Sequence, residues 1–555
     1  MSSSKSSTLS LMQKLARKKQ AEFKSRQKIA NEQISLATFV KESWHVLEPE
    51  TTLAWNWHID AMCEHIQESL LDWLRHKQDS NYKQRIQNLL INVPPGSLKS
   101  RVVSVCAPAW FWTICPSWRA IFLSSNPRVA LRDSAYCRDL IESEWYQKRF
   151  KPDWKLRVDT NAKSLYWNTK GGQRASFGFN SRITGDRGDC ILVDDPHDAK
   201  EIESDLLRQA VLDRWDSAIR NRVNDLRSSV RIGIMQRLHQ LDWSGHVLQE
   251  GDWALLCIPQ EFEAPQAPTP LGWVDPRTEP GSLMFEERFP EYVLEKEKLV
   301  LGSYGYAGQH QQKPAPSEGG MFKLANWRVY VPSAAPRFTR MILSCDAAFK
   351  GTKDSDYVVV QAIAQVADVH TVLDQDGKPM LFSDYYLPYQ ARSRVGISGT
   401  ETMIRETSNR YPEAYTKLIE DKANGPAVIE RLSSELTGIT PFKPGMNSKR
   451  SRAWSIQPIH ERGGILLPAS DAVAAALESM GKTSITVGEW WELHPPLHKT
   501  NAEYAPVQEW CKALMDEFAQ FPNAANDDQV DALDQGIIWL EANKPQKTGM
   551  DLLWA

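Results

Sequence analysis

Two groups of residues in this chain have the types and spacing that phosphate chemistry requires. The first group begins with the segment Val93-Pro94-Pro95-Gly96-Ser97-Leu98-Lys99-Ser100 and continues with the acidic pair Asp194-Asp195. The second group is acidic throughout, and its members are Asp346, Glu420, Asp421, Asp527, Asp528 and Asp531. The first pattern is typical of nucleotide hydrolysis, and the second is typical of metal-dependent cleavage of phosphodiesters.

A nucleotide-hydrolysing site needs a backbone cradle for phosphates, a lysine and a hydroxyl that binds Mg²⁺. Lys99 would contact the β- and γ-phosphates of ATP, and Ser100 would be a Mg²⁺ ligand at the start of a helix. The rest of the phosphate loop would be Pro94, Pro95, Gly96, Ser97 and Leu98. The fit to GxxxxGK[ST] is imperfect, because Val93 and Leu98 occupy both glycine positions. An ordinary strand-turn-helix connection is the alternative.

The apolar run before Asp194 and Asp195 predicts a strand that ends in two acids. Asp194 would hold Mg²⁺ through water, and Asp195 would polarise the attacking water. Most nucleotide-hydrolysing sites of this kind have Glu in place of the second Asp. As the alternative, Asp195 would be the N-cap of the following segment. Gln236 follows another predicted strand and would sense the γ-phosphate. Arg182 and Arg187 are arginine-finger candidates, with ordinary surface arginines as the alternative.

Two-metal cleavage needs carboxylates from separate elements, so that two divalent ions lie about 4 Å apart. Asp346 and Glu420 each end a short apolar run, and Asp528 and Asp531 share one face of a predicted helix. All four are predicted metal ligands, Asp346, Glu420 and Asp528 are also the predicted catalytic acids, and two Mg²⁺ or Mn²⁺ ions are the predicted cofactors. Asp421 is a further metal-ligand candidate beside Glu420. Any one of them alone is more often a surface acid or a helix cap.

Three basic residues lie between the second and third acids of this group. They are Lys449, Arg450 and Arg452. Such a cluster would bind DNA phosphates. A solvated face of a helix is the alternative interpretation.

The patterns around these residues predict two α/β domains with flanking segments. Residues 36–259 alternate apolar runs with helical patterns, which favours a mostly parallel sheet. Residues 260–336 are rich in Pro, Gly and Glu and form a predicted connector. Residues 337–543 begin with three predicted strands in a meander, followed by a helix and another strand, which suits an RNase H-like fold. Residues 1–35 form a predicted mobile basic and polar tail, and residues 544–555 form a C-terminal tail.

Composition limits the kinds of partner. The 555 residues carry a formal net charge of -3, so any DNA contact must come from local basic patches. The eight cysteines include no CxxC pair, which favours buried free thiols and a reducing compartment. No apolar run reaches about 18 residues, and the N-terminal segment lacks a signal-peptide core, so no membrane association is expected.

The motifs, taken in order, resemble those of the large terminase subunits of tailed bacteriophages. The resemblance covers roughly residues 40–543. It depends on Pro94 to Ser100, the segment Ile183-Thr184-Gly185 leading to Asp194-Asp195-Pro196, Gln311-Gln312-Lys313-Pro314 with Gly319-Gly320, Asp346-Ala347-Ala348-Phe349, Glu420 to Gly425, and Asn526 to Leu533. Each motif is moderately specific, and six of them in the same order are highly specific.

This resemblance implies a P-loop ATPase domain that drives double-stranded DNA through a portal protein into a procapsid. It also implies an RNase H-like nuclease domain that cuts concatemeric DNA. The expected partners are DNA, the portal, a small terminase subunit and further copies in a ring. Many relatives carry an arginine in the phosphate loop and this chain has none, so Arg187 or Arg182 would act on the ATP of a neighbouring copy.

The resemblance places the chain in the cytoplasm of the infected bacterium, transiently docked on the procapsid and absent from the mature virion. Two other interpretations stay open on the residues alone. One is a repair or remodelling ATPase with a nuclease domain. The other is a capsid-docking scaffold with degenerate sites, which Val93, Leu98 and Asp195 would favour.

Overall fold

The structure is a computed structural model. It describes residues 34–181, 183, 185–314, 321–347, 357–373, 379–422, 425–444, 448–496, 502–522, 524 and 526–544. The chain forms two compact units. The first comprises the described residues up to Asp198, then Gln209–Arg237 and Leu241–Phe285. The second comprises Ala199–Arg208, Leu238–Gln240 and the described residues from Glu286 onward. Arg182 and nearly all of both predicted tails lie outside the described residues.

The first unit contains an eight-stranded sheet with the order β3-β4-β5-β2-β6-β7-β1-β8. Its strands are β1 Asn88–Asn92, β2 Arg119–Ser124, β3 Leu156–Ala162, β4 Leu165–Asn168, β5 Gln173–Gly178, β6 Cys190–Asp194, β7 Val230–Met235 and β8 Trp253–Cys257. The pairs from β5 through β8 are parallel, and the pairs β3–β4 and β4–β5 are antiparallel. The prediction of a mostly parallel sheet is therefore confirmed.

Helices accompany this sheet. They are α1 Leu36–Leu47, α2 Trp57–Gln78, α3 Ala107–Ile114, α4 Pro127–Glu142, α5 Glu144–Phe150, α6 Asp205–Arg214 and α7 Trp243–Leu248, with π-helices at Arg101–Cys106 and Trp215–Ile219. Both faces of the central strands are apolar, so β1 and β6 are buried along their whole length. Part of the core is a cluster of three tryptophans in which Trp243 contacts Trp215 and Trp253 edge to face, with ring centroids 5.0 and 5.5 Å apart.

The strand order decides which chain segments can meet at the edge of this sheet. Strand β7 lies between β1 and β6, and all three are parallel. Their carboxyl ends therefore point to the same edge, where ligands bind in open parallel sheets. The segments that follow these strands begin with Val93, Asp195 and Gln236.

The second unit contains another eight-stranded sheet, with the order β14-β13-β10-β11-β12-β15-β9-β16. Its strands are β9 Arg328–Tyr330, β10 Arg340–Asp346, β11 Val358–Leu373, β12 Pro379–Ser393, β13 Thr416–Glu420, β14 Ile439–Phe442, β15 Ile465–Pro468 and β16 Ser484–Thr486. Strands β10, β11 and β12 form an antiparallel meander, and β13 and β14 continue the sheet in parallel beside β10. This is an RNase H-like arrangement, as predicted.

Eight helices belong to the described part of the second unit from Glu286 onward. They are α8 Glu291–Gln309, α9 Ile397–Arg410, α10 Gly425–Ser433, α11 Lys449–Glu461, α12 Asp471–Ser479, α13 Val487–Leu493, α14 Glu509–Gln520 and α15 Asp528–Ala542, with 3₁₀-helices at Leu324–Asn326, Pro332–Ala334 and Ala502–Tyr504. The core includes an edge-to-face contact of Phe518 with Phe322 and Trp327, at 4.8 and 5.3 Å between ring centroids.

Helix α15 packs directly on strands β10 and β11. A Cβ atom at Gly536 would lie 2.3 Å from Cδ1 of Ile363 and 3.1 Å from Cβ of Ser344, so a larger residue there would require the Ile363 side chain to move. The Ser344 hydroxyl donates to the carbonyl of Ala532 at 2.6 Å, and the Gln535 amide donates to the carbonyl of Cys345 at 2.9 Å. The start of α15 is thereby held beside the end of β10.

None of the helices in the described ranges is long and apolar enough to cross a membrane. All eight cysteines lie in the described ranges and are free thiols, and seven of them are buried.

Candidate active sites

The segment after β1 has the backbone of a tight loop although one glycine is replaced. Gly96 and Leu98 have positive φ values of 74° and 63°. A non-glycine residue in this left-handed region costs about 1–2 kcal/mol, and such strain is typically retained at functional sites. The Ser97 hydroxyl donates to the carbonyl of Pro94 at 2.8 Å and closes the loop. Leu98 therefore takes a conformation that glycine would adopt without strain.

Lys99 begins the helical run after this loop, and its side chain meets residues from two other strands. It is only 7% exposed. Its ammonium donates to Oδ1 of Asp195 at 3.0 Å and to Oε1 of Gln236 at 3.3 Å. The backbone N–H of Gln236 also donates to Oδ1 of Asp195, at 3.3 Å. Asp195 itself has a positive φ of 44°. The structure thus joins Lys99 to two partners that are 96 and 137 positions away in the chain.

Asp194 ends β6 and is almost completely buried. Its Oδ2 accepts a hydrogen bond from the Ser104 hydroxyl at 3.1 Å. Burial, followed by the charge of Asp195, raises the pKa of Asp194 to about 7, and the charge of Lys99 and the Ser100 hydroxyl oppose this shift. A buried carboxylate with so little positive charge around it fits a cation such as Mg²⁺. Ser100 and Asp194 are the residues that would hold that ion.

Of the two arginine-finger candidates, the structure describes only Arg187. Arg187 is exposed, and its Nη1 donates to the carbonyl of Val223 at 3.1 Å. Arg182 lies outside the described residues. An exposed guanidinium suits a contact with a neighbouring copy, and its role stays a prediction.

In the second unit, three acids from separate elements act on one another. Asp346 ends β10, Glu420 ends β13, and Asp528 begins α15. Burial, followed by the charges of Asp531, Glu420 and Asp528, raises the pKa of Asp346 well above its usual range. Asp346 is only 1% exposed, so water screens its repulsion from the other carboxylates poorly. Divalent cations would neutralise such a group of carboxylates. Asp346, Glu420 and Asp528 are the residues that would hold such ions.

Asp421 has surroundings different from those of Glu420. Its backbone N–H donates to the carbonyl of Phe442 at 2.8 Å. Its carboxylate lies 3.6 Å from the ammonium of Lys443. It is not among the main groups that shift the pKa of Asp346. Its predicted role as a metal ligand stays a prediction.

Lys449 and Arg452 lie on α11 and contact the acids of α15. The ammonium of Lys449 is 2.5 Å from Oδ2 of Asp531 and 2.7 Å from Oδ1 of Asp527. Burial is the largest single influence and lowers the pKa of Lys449, but the charges and hydrogen bonds of Asp531 and Asp527 together outweigh it, so the pKa of Lys449 is raised. The Arg452 guanidinium is hydrogen bonded to Asp531, and its Nε is 3.3 Å from Oδ1 of Asp534. Asp531 is therefore paired with two cations of the chain. The choice of the third metal ligand among Asp527, Asp528 and Asp531 stays a prediction.

Arg450, the third residue of the predicted DNA-binding cluster, faces elsewhere. Its Nε is 3.6 Å from Oε2 of Glu203, which belongs to the same unit. The three basic side chains therefore have acidic partners within the chain. DNA binding by Lys449, Arg450 and Arg452 stays a prediction.

Two residues near the acidic site were not found from the sequence. Asp534 is completely buried and paired with Arg452, and burial raises its pKa well above the usual range. The spacing of three residues from Asp528 to Asp531 to Asp534 would have indicated it. Glu517 lies on α14 and contacts the backbone of α15. No local pattern around Glu517 indicates that contact.

Replacing Arg452 with methionine is expected to destabilise the second unit by about 3–5 kcal/mol at neutral pH. The substitution leaves Asp531 and Asp534 buried without their shared cation. The decrease in the free energy of unfolding should become smaller as the pH falls, because protonated carboxyls need no counter-charge. Urea unfolding followed by hydrogen exchange in peptides from α15 measures the change.

Arg450→Met is the matched control on the same helix. The Arg450 side chain is 36% exposed and lies 3.6 Å from its acidic partner, so its loss should cost about 1 kcal/mol or less. Equal destabilisation by both substitutions would contradict the assigned role of Arg452.

Binding of Mn²⁺ to the second unit is expected to release protons. Burial and neighbouring acids raise the pKa of Asp346, so its carboxyl retains a proton that the cation must displace. Metal affinity should therefore rise with pH until Asp346 is ionised. Titration calorimetry in buffers of different ionisation enthalpy counts the protons, and Asp346→Asn should release fewer.

The same shift determines the stability of the metal-free unit. The folded pKa of Asp346 lies above the unfolded value of about 3.9, so the folded state binds the proton more tightly. The contribution of Asp346 to the free energy of unfolding without metal should therefore fall as the pH rises above about 4, and the stability of Asp346→Asn relative to the wild type should rise. A difference between the two proteins that shrinks over this range would contradict the assignment.

The fold and the two sites define a two-unit α/β protein with a P-loop-type site in the first unit and an RNase H-like acidic site in the second. Among solved structures, the chain is similar to several large terminases of bacteriophages. A large terminase from a thermophilic bacteriophage matches with 10% identity and a TM-score of 0.42, over 85% of this chain and 98% of that chain.

Two further structures show the same similarity. The HK97 bacteriophage large terminase matches with 8% identity and a TM-score of 0.31, over 78% of this chain and 90% of that chain. The large terminase nuclease of the thermophilic phage G20c with bound magnesium matches with 15% identity and a TM-score of 0.21, over 40% of this chain and 97% of that chain. No protein-family model and no curated protein sequence matches the chain. Similarity at this level carries no conclusion about activity or partners.

Proposed function

We propose that this chain is a DNA-packaging ATPase and nuclease, the large terminase subunit of a tailed bacteriophage. The observation that carries the proposal is the presence of two kinds of phosphate site in one chain. The first unit brings Lys99 into contact with Asp195 and Gln236 beside the buried Asp194. In the second unit, the charges of acids on two other elements raise the pKa of Asp346.

In the first unit, ATP would bind at the loop Pro94 to Ser100. Its phosphates would take the place of Asp195 as the partner of the buried Lys99 ammonium, since both are anions. Asp195 would then be released to polarise a water molecule, and Gln236 would report whether the γ-phosphate is present. Mg²⁺ would be held by Ser100 and Asp194. Gln236 is hydrogen bonded to both Lys99 and Asp195. Loss of the γ-phosphate would therefore change the hydrogen bonds of the residue that follows β7.

In the second unit, two Mg²⁺ or Mn²⁺ ions would bind among Asp346, Glu420 and Asp528. Such ions stabilise the attacking and leaving oxygens of the phosphodiester. Asp531 lies between the cations Lys449 and Arg452, and it would keep their positive charges close to the DNA backbone. Strands β10 and β13 and helices α11 and α15 carry these residues.

The partners of this function are double-stranded DNA, a portal protein, a small terminase subunit and further copies of the chain. In a ring on the procapsid, the exposed Arg187 would contact the ATP of the next copy, with Arg182 as the second candidate. The protein would act in the cytoplasm of the infected bacterium and leave the capsid after packaging.

The test combines three assays on the wild-type chain. They are DNA-stimulated ATP hydrolysis, plasmid cleavage in Mg²⁺ or Mn²⁺, and protection of DNA from DNase in the presence of procapsids and ATP. The proposal predicts all three activities. Strand separation without protection would favour a repair or remodelling enzyme. The absence of both hydrolysis and cleavage, with DNA and portal present, would favour a scaffold with degenerate sites.

A further inference from the structure

The first turn of helix α15 is capped by a residue of another helix. Asp527, which precedes the helix, makes no capping hydrogen bond with its side chain. The backbone N–H groups of Gln529 and Val530 instead donate to Oε1 of Glu517, at 2.7 and 3.4 Å. Such N–H groups lack partners within their own helix and normally require an adjacent side chain. Glu517 on α14 supplies this partner.

The second oxygen of Glu517 is also bonded. Its Oε2 accepts from the Gln529 amide at 2.6 Å and from Nη2 of Arg392 at 2.9 Å. The carboxylate is only 7% exposed. A buried carboxylate that accepts four hydrogen bonds, one from a guanidinium, is held in a single orientation.

Gln529 extends this network to the sheet. Its Oε1 accepts from the amide of Gln390 on β12 at 2.7 Å, and its backbone carbonyl accepts from the amide of Gln361 on β11 at 3.2 Å. The start of α15 is therefore fixed to α14 and to two strands. Glu517 is the group that most of these hydrogen bonds share.

This capping has a consequence for the neighbouring acids. Aspartates in the first turn of a helix often fold back and accept hydrogen bonds from its free N–H groups. Glu517 occupies the N–H groups of Gln529 and Val530, so Asp528 and Asp531 need not cap the helix. The helix that carries both is tied to the end of β10, next to Asp346, by the hydrogen bonds of Ser344 with Ala532 and of Gln535 with Cys345.

We propose that Glu517 is a positioning residue of the acidic site, which anchors α15 so that Asp528 faces Asp346 at the spacing that divalent cations need. This inference rests on the proposed nuclease function. Groups that orient metal ligands without touching the metal typically change metal affinity by about 10–100-fold when they are replaced.

The test is a Mn²⁺ titration of the full chain by calorimetry, with binding that is lost in Asp346→Asn assigned to the acidic site. Glu517→Ala is expected to weaken that binding by about tenfold or more. Glu517→Gln should fall between this variant and the wild type, because one oxygen still accepts from the backbone while the amide cannot accept from Arg392. The Mn²⁺ concentration for half-maximal plasmid cleavage should rise in parallel.

Asp516→Ala is the matched control. Asp516 is the preceding residue of α14, and its Oδ1 accepts from the backbone N–H of Ala502 at 3.1 Å, outside the acidic site. This variant loses a comparable hydrogen bond to a backbone N–H and should leave Mn²⁺ binding unchanged, even where its melting temperature falls.

Wild-type Mn²⁺ affinity in Glu517→Ala, together with a lowered melting temperature, would overturn the inference and leave Glu517 a purely structural cap. If Glu517→Ala fails to fold, the same titration of Glu517→Gln replaces it, and wild-type Mn²⁺ affinity in that variant would overturn the inference. A wild-type chain that neither binds Mn²⁺ nor cleaves DNA would instead overturn the nuclease function itself. The two failures are therefore distinguishable.

Discussion

Replacing Lys99 with alanine is expected to lower DNA-stimulated ATP hydrolysis by about 10²–10³-fold and to leave metal-dependent DNA cleavage unchanged. The ammonium of Lys99 is buried beside Asp195 and Gln236, where a phosphate would experience its charge with little screening by water. Loss of one group that stabilises the charge of a transition state typically costs this much in kcat. Steady-state phosphate release and plasmid cleavage on the same preparation measure both effects.

Lys148→Ala is a suitable control for Lys99→Ala. The Lys148 side chain is 75% exposed and pairs with Glu144 across one turn of α5. Its replacement should change neither activity. Equal ATP hydrolysis by Lys99→Ala and the wild type would contradict the nucleotide site, because Lys99 is the cation that contacts Asp195 directly after β6.

Replacing Asp346 with asparagine is expected to lower DNA cleavage by about 10³-fold and to leave ATP hydrolysis unchanged. The amide cannot supply the negative charge that two divalent ions need, and such ions contribute several kcal/mol to the transition state. Plasmid cleavage over a range of Mn²⁺ concentrations separates weak metal binding from slow chemistry.

The same substitution should stabilise the metal-free protein. Asp346 is buried beside Asp531, Glu420 and Asp528, so folding requires its carboxyl either to take up a proton or to carry an unfavourable charge, and the neutral isostere removes this cost. A higher melting temperature together with lost cleavage would be the signature of a functional acid. A lower melting temperature with lost cleavage would show that Asp346 supports the fold instead. Mg²⁺ should raise the melting temperature of the wild type more than that of Asp346→Asn.

Much of the architecture could be predicted from local patterns. The apolar runs before Pro94 and Asp194 form β1 and β6, and the run before Asp346 forms β10. Parallel central strands were predictable because their residues are apolar on both faces. The spacing of Asp528 and Asp531 placed them on one helix face, and the structure confirms that helix.

The contacts at the sites were less predictable, since they join residues far apart in the chain. Lys449 and Arg452 were predicted as a phosphate-binding cluster, and charge alone could not reveal that they pair with Asp531 and Asp534. Leu98 occupies a position where a phosphate loop normally has glycine, so the sequence disfavours such a loop. Only the structure shows that the Leu98 backbone adopts the left-handed conformation that glycine favours.

The sequence by itself determined which residues can do chemistry and which elements carry them, because strand and helix periodicity and the acids at strand ends are local properties. Only the tertiary structure decided which acids pair with cations of the chain, as Asp531 does with Lys449 and Arg452. Such pairs depend on burial and on distances between separate elements, such as the contact of Glu517 with the first turn of α15. These distances arise from packing, as in the close approach of Gly536 on α15 to Ile363.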